Sequence, residues 1–155
     1  MDLTIPGYGR WQLQHLVMDY TGTLAVDGRL IDSVGEALTA LSEELTLHVV
    51  TADTFGKAAA QLEGIPCKLG ILPEDNQHIR KKDYVLALGP EQTVSIGNGR
   101  NDQLMLKVSA LGIAVILAEG IAAETLLASD VVCTSIIDAL DLLRNPLRLT
   151  ATLRS

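Results

Sequence analysis

The chain has 155 residues, with 12 Lys and Arg against 19 Asp and Glu, a formal net charge of −7. That length suits one domain, residues 1–155, with a single substantial core, and that charge argues against a nucleic-acid or anionic-membrane surface. Hydrophobic residues make up 48% and aromatics only 3%, which excludes a disordered chain and leaves a core of Leu, Ile, Val and Ala, suited to helices packed on a parallel sheet.

In chain order, the first strand is read over Leu13–Met18. It ends in Asp19 and turns at once into Tyr20-Thr21-Gly22-Thr23, the pattern of a buried strand delivering a carboxylate to a sheet edge where the backbone opens into a phosphate-sized cradle. Next, two short apolar segments flank Asp27-Gly28, the dipeptide favoured at type I′ turns, so Leu24–Ile31 is predicted to be a small hairpin, read as a flap over that cradle or as an ordinary surface hairpin. A helix follows over Ser33–Glu43, with Ser33 and Glu36 as a capping box. Strands are then expected at Leu45–Val50, Cys67–Leu69, Thr93–Ile96, Gly112–Ile116 and Val131–Cys133. Helices alternate with them at Thr54–Leu62, Ile79–Leu88, Asn101–Ser109, Ile121–Ala128 and Ser135–Arg144, the last capped by Ser135 with Asp138. Such alternation predicts an α/β fold, a Rossmann-like three-layer sandwich around a mostly parallel sheet. The stretch Pro146–Arg154 reads equally as an edge strand, a packed tail or a contact to another subunit.

Cys67 and Cys133 show neither CxxC spacing nor a disulfide framework and read as buried free thiols. His15, His48 and His78 lack metal-ligand spacing and read as core-edge or surface residues. The N-terminus has no signal-peptide pattern, and no apolar run approaches the roughly 20 residues that span a bilayer. A soluble cytoplasmic protein is therefore expected.

Four features fall at strand ends or helix starts: Asp19 with its Thr/Gly turn, Thr51 closing a strand, the pair Lys81-Lys82, and Gly97-Asn98-Gly99-Arg100-Asn101-Asp102. In an open parallel sheet these ends converge on one ligand site. The residue types suit phosphoryl transfer, whose catalysis is mostly positioning and charge stabilisation. A carboxylate such as Asp19 can attack phosphorus directly. Backbone N–H groups around Gly22 and the Thr51 hydroxyl can hold phosphoryl oxygens, and a Lys ammonium can neutralise charge on the same group. Oxygen ligands from Asp19, the Thr21 carbonyl and the Asn98/Asp102 loop suit Mg²⁺. Asp53 reads as a helix cap or turn residue or as lining the mouth, and Arg100 as facing either solvent or a substrate phosphate.

The ordered strings Asp19-Tyr20-Thr21-Gly22-Thr23 and Gly97-Asn98-Gly99-Arg100-Asn101-Asp102 resemble those of the haloacid dehalogenase superfamily, specifically its P-type ATPase branch, over Leu13 to about Asp130. Only 28 residues lie between Gly22 and Thr51, too few for a large cap, so the resemblance is to the small soluble, capless P-type-ATPase-like phosphatases. It implies that Asp19 is nucleophile and Mg²⁺ ligand, that Thr21 gives the metal a backbone carbonyl, that Thr51 and Gly22 bind phosphate, and that Asp102 supports the metal through its waters. The family lysine precedes apolar residues three and four positions later. Lys81, followed by Tyr84 and Val85, fits that pattern better than Lys82. Two departures stand out. Thr21 occupies the place of the usual general acid–base Asp, and Asn98 that of a metal-binding Asp, so slow hydrolysis and weaker metal binding are expected.

The function expected from sequence is a Mg²⁺-dependent phosphohydrolase forming an aspartyl-phosphate on a phosphorylated small molecule. The alternative is an attenuated relative that binds phosphate or a partner and turns over slowly. A dinucleotide-binding module is disfavoured because no GxGxxG follows the first strand. Capless members commonly need a neighbouring subunit over the site, so a homo-oligomer is expected, with neither nucleic acid nor membrane as partner.

Overall fold

A computed structural model describes residues 1–155. Its centre is a six-stranded sheet in the order β10-β9-β8-β3-β6-β7, with every neighbouring pair parallel. The strands are β3 (His15–Met18), β6 (Thr46–Thr51), β7 (Lys68–Ile71), β8 (Thr93–Gly97), β9 (Leu111–Val115) and β10 (Val131–Cys133). The four central strands are largely apolar and buried because helices cover both faces, whereas the edge strands β7 and β10 are only partly covered. Strand order reverses at β3: the chain moves outward through β6 and β7, then returns to β8 on the other side of β3. That switch point opens a crevice at the carboxyl ends of β3 and β8.

Helix α1 (Val34–Leu41) packs with α6 (Ile136–Arg144) and α7 (Pro146–Leu153) on one side of the sheet, over a large apolar core that includes Leu16, Met18, Leu47, Ile96 and Ile113. The opposite side carries α3 (Gln77–Leu88), α4 (Gln103–Val108) and α5 (Ala123–Ala128), over a smaller cluster of Val17, Val50, Val85, Met105, Leu106 and Ala114. This side is also polar. Helix α3 buries only Lys81 and Val85, and its Tyr84 hydroxyl lies 2.9 Å from His48 Nδ1, whose Nε2 is 3.2 Å from His15 Nδ1. Burial, with the charges of His15 and Lys68, pushes His48 down to about 4, so the ring is neutral and joins Tyr84 to His15 as a hydrogen-bonded chain.

The flap hairpin forms as β4 (Ala25–Val26) and β5 (Arg29–Leu30). Asp27 and Gly28 at its turn have φ of 51° and 77°, both positive as a type I′ turn requires. Helix α2 (Ala58–Gln61) is shorter than the sequence predicts: Asp53 Oδ1 accepts the N–H groups of Lys57 and Ala58 at 3.0 Å, so residues 54–57 form the loop that this cap closes. Ser135 caps α6 as expected, accepting Asp138 N–H at 3.2 Å. Ser33 does not cap α1; it sits at φ 68° with its side chain unengaged. Cys67 and Cys133 are half-buried rather than buried, and both are free.

One element lies outside the sequence expectations, and another takes the packed-tail reading among the three that the sequence left open. The N-terminal segment is a hairpin of β1 (Asp2–Ile5) and β2 (Gly9–Gln12), with Leu3 and Ile5 buried in the large core. The C-terminal stretch is helical, not an edge strand, and α7 packs on α6 and β1. No helix is long and apolar enough to cross a membrane.

Candidate active site

Strand β3 pairs with β6 and β8 on its two sides, and Asp19 N–H continues the ladder to Ile96 O at 3.0 Å. The Asp19 carboxylate therefore leaves the sheet at the crevice, only 6% exposed. Beyond it the chain winds on the Tyr20 carbonyl, which accepts the N–H groups of Thr23, Leu24 and Ala25. Gly22 makes this turn possible: its φ is 78°, and a side chain there would collide with the Asn98 carboxamide. Tyr20 donates its hydroxyl to Gly28 O at 2.9 Å, tying the flap to the residue after Asp19.

Lys81 projects into the crevice from α3. Its Nζ lies 2.6 Å from Asp19 Oδ1 and 2.7 Å from Asp102 Oδ1, with none of the side chain exposed. Lys82, by contrast, is part-exposed on the outer face near Asp83. Asp102 is fully buried and its other oxygen accepts the N–H groups of Asn98 and Gly99 at 3.0 and 2.9 Å. It thus fixes both the lysine and the Gly-rich turn. Gly97 is required beside it, since a Cβ there would stand 2.6 Å from Asp102 Cβ.

One ammonium between two carboxylates leaves the cluster at −1. Burial, together with the charge of Asp102, pushes Asp19 up to about 7 against the opposing pull of Lys81. Burial works against the Lys81 charge, but Asp102 and Asp19 outweigh it and hold the ammonium firmly protonated. An added cation at Asp19 would restore its anionic form near neutrality.

Asn98 ends up opposite Asp19 across the crevice. The Thr23 hydroxyl sits between them, 3.4 Å from Asp19 Oδ2 and 3.2 Å from Asn98 Oδ1. A hydroxyl has one proton, so one of these acceptors is always short of a donor. The Thr21 carbonyl accepts no hydrogen bond in the chain, and Thr21 Oγ1 is buried without a partner. These under-satisfied groups are all oxygens, the donor set of a hard divalent cation. The residues fit such an ion, with Asp19 as the one carboxylate among these oxygens.

Thr51, at the end of β6, is 2% exposed and accepts Asp53 N–H on its hydroxyl at 2.9 Å, which leaves the hydroxyl proton free to donate. The structure thus brings Asp19, Thr21, Thr51, Lys81, Asn98 and Asp102 to one end of the sheet. Gly22 is a correction: its N–H donates to Ala25 O at 2.8 Å and is not available to a phosphate. The Thr21 N–H has no partner in the chain and is the free donor of that turn. Asp53 serves as the cap of α2.

Two residues were not anticipated. Thr23 links the two loops, and its signal was present in the sequence, four residues from Asp19 within one tight turn. Thr125 is fully buried and donates to Gly99 O at 2.7 Å from 26 residues away, with no local pattern to mark it. With Asn98 Nδ2 donating to Gly120 O at 3.0 Å, it straps the Gly-rich turn to the segment after β9.

No protein-family model matches the chain. An uncharacterized protein of Methanocaldococcus jannaschii, MJ0073, is 53% identical over 64 residues, which are 41% of this chain and 69% of that protein. Among solved structures, the cobalt-bound deoxy-D-mannose-octulosonate 8-phosphate phosphatase of Haemophilus influenzae superposes with a TM-score of 0.72 at 15% identity, covering 93% of this chain and 94% of the other. A 3-deoxy-D-manno-octulosonate 8-phosphate phosphatase from Moraxella catarrhalis, in complex with magnesium, phosphate and KDO, gives a TM-score of 0.55 at 18% identity, covering 89% and 93%. A putative haloacid dehalogenase family hydrolase from Streptomyces avermitilis gives 0.61 at 22% identity, covering 84% and 80%. The chain has the haloacid dehalogenase fold, and it belongs to the same family as the M. jannaschii protein.

Proposed function

We propose that the protein is a phosphohydrolase that takes a phosphoryl group onto Asp19 from a small phosphorylated molecule, with Mg²⁺ as its cofactor. The observation that carries this reading is the placement of Asp19, a nearly buried carboxylate with the Lys81 ammonium at 2.6 Å and the Asn98–Asp102 turn beside it. The phosphatase neighbours and their bound metals support it.

In this mechanism an Asp19 oxygen forms a bond to phosphorus while the ester P–O bond breaks. The leaving oxygen takes its proton from water, because Thr21 offers no titratable group there. Lys81 and the Thr51 hydroxyl face the phosphoryl oxygens, and the Thr21 N–H is free to donate to a third. Water then attacks phosphorus, Asp19 leaves as a carboxylate and phosphate is released. Asp19, the Thr21 carbonyl and Asn98 Oδ1 would hold Mg²⁺, with Asp102 behind them. The ion supplies positive charge that offsets repulsion between carboxylate and phosphate.

Aryl and acyl phosphates, whose leaving groups need no acid, are expected to react best. Asp19→Asn should abolish turnover of an aryl phosphate; unchanged turnover would refute the assignment. Thr21 and Asn98 favour one second reading, a slow relative that holds its phosphoryl group or phosphate in a regulatory role. Accumulation of phosphoprotein during turnover would distinguish it from an ordinary phosphatase. A homo-oligomer that covers the open side of the site belongs to the same proposal.

A further inference from the structure

A cavity of about 470 Å³ lies beside the Gly-rich turn, lined by His78, Arg100, Asn101, Gln103 and Leu104. That volume is in the range of small-molecule sites. It sits between the start of α3, which carries Lys81, and the turn that carries Asp102. Asn101 Nδ2 joins these walls by donating to Gln77 Oε1 at 2.6 Å. Arg100 is two residues from Asp102, at most about 7 Å along the backbone. Arg100 thus stands on the same turn as Asp102, whose carboxylate shares the Lys81 ammonium with Asp19.

The lining has a distinctive charge. The chain holds 19 acidic residues, and each of the four other principal cavities has a carboxylate in its wall. This one has none, and it presents a guanidinium, an imidazole and a Gln amide. Arg100 is 83% exposed and its recorded partner is Glu124 at 3.5 Å, an exposed pair worth little in water. A guanidinium has five N–H donors, so most of its capacity is uncommitted. The His78 imidazole has no hydrogen-bond partner within the chain.

We propose that this cavity is the leaving-group subsite and selects phosphate monoesters carrying a second anionic group, with Arg100 as its principal contact. The inference rests on the phosphoryl-transfer reading of Asp19 and adds the class of substrate. Phosphoryl end and second anion then fall on separate cations, Lys81 and Arg100, either side of Asp102. A carboxylate and a second phosphate share the required chemistry.

The test is calorimetric binding with Mg²⁺ present, in an Asp19→Asn protein that does not turn over. The probes are phenyl phosphate, 4-carboxyphenyl phosphate and 1,4-phenylene bisphosphate. The doubly anionic esters should bind about ten-fold tighter than phenyl phosphate, the usual scale of one charge-assisted hydrogen bond. Adding Arg100→Gln should bring that ratio close to one, and Glu124→Gln, which frees the guanidinium, should raise it. A gain for only one of the two probes identifies the second group as carboxylate or phosphate. A ratio near one before the Arg100 change, a ratio that survives it, or no binding of any ester would overturn the proposal. Binding here needs no chemistry. If the ratio behaves as expected while the native chain neither hydrolyses nor becomes phosphorylated, the catalytic reading fails and the anion subsite stands.

Discussion

Asp19, Thr21 and Asn98 set what the site can do, and each makes a separate expectation. Thr21 places a hydroxyl, buried and unpartnered, where a proton carrier would serve hydrolysis. Thr21→Asp should speed turnover of an aryl phosphate about 10²-fold or more, the scale of general acid–base catalysis; an unchanged rate would show that another group supplies the proton. Asn98 donates to Gly120 O, which a carboxylate cannot do. Asn98→Asp should therefore bind Mg²⁺ more tightly yet be less stable without metal, measurable by titration calorimetry and metal-free urea unfolding. For Asp19, the folded pKa of about 7 lies above its ordinary 3.8. The folded chain keeps that proton longer than the unfolded one, so its contribution is complete below about 3.8 and is lost as pH rises to about 7. The stability difference between native and Asp19→Asn proteins, measured without metal, should fall across that window and level off above it. Mg²⁺ should flatten the fall by stabilising the carboxylate.

At the scale of elements, the parallel strands were legible because each centres on a short, mostly apolar run, as in Leu16-Val17-Met18 before Asp19. The hairpin was legible from Asp27-Gly28 together with the short apolar segments on either side of it. Here Gly28→Ala should cost about 1–3 kcal/mol in urea unfolding, because φ is 77° and a Cβ would stand 2.6 Å from Phe55 Cβ. Less of the termini was readable. Leu3 and Ile5 alternate with polar residues before Pro6-Gly7, a faint hairpin signal in a segment too short to stand out. In Pro146–Leu153, Leu149 and Leu153 are one helical turn apart and Pro146 fills the first helical position, yet the alternation of Leu147-Arg148-Leu149 resembled a strand. Ser33 shows the limit of local reading: the chain leaves the hairpin with Ser33 in a left-handed conformation, which removes its side chain from the cap. The residues of the site itself were legible because their chemistry is unusual at strand ends. The Thr23 and Thr125 contacts were not, since they depend on which loops meet in space.

Across the whole molecule, the sheet's two faces divide the labour. The face under α1, α6 and α7 holds most of the apolar core, whereas the face under α3 accepts polar burial in order to present Lys81. Removing that ammonium should be felt globally: Lys81→Met leaves Asp19 and Asp102 without their shared cation, and breaking a buried pair of this kind costs about 3–5 kcal/mol. Urea unfolding with a loss well under 1 kcal/mol would contradict the geometry. The proposed oligomer is a property of the same scale, and a monomer by sedimentation at micromolar concentration would count against it. The central claim is that Asp19 accepts a phosphoryl group. Its most direct test is intact and peptide mass spectrometry after incubation with acetyl phosphate and Mg²⁺. The account predicts a single added phosphoryl group on the peptide containing Asp19, absent from Asp19→Asn. A phosphoryl group on another residue, or none on a folded, metal-loaded protein, would contradict it.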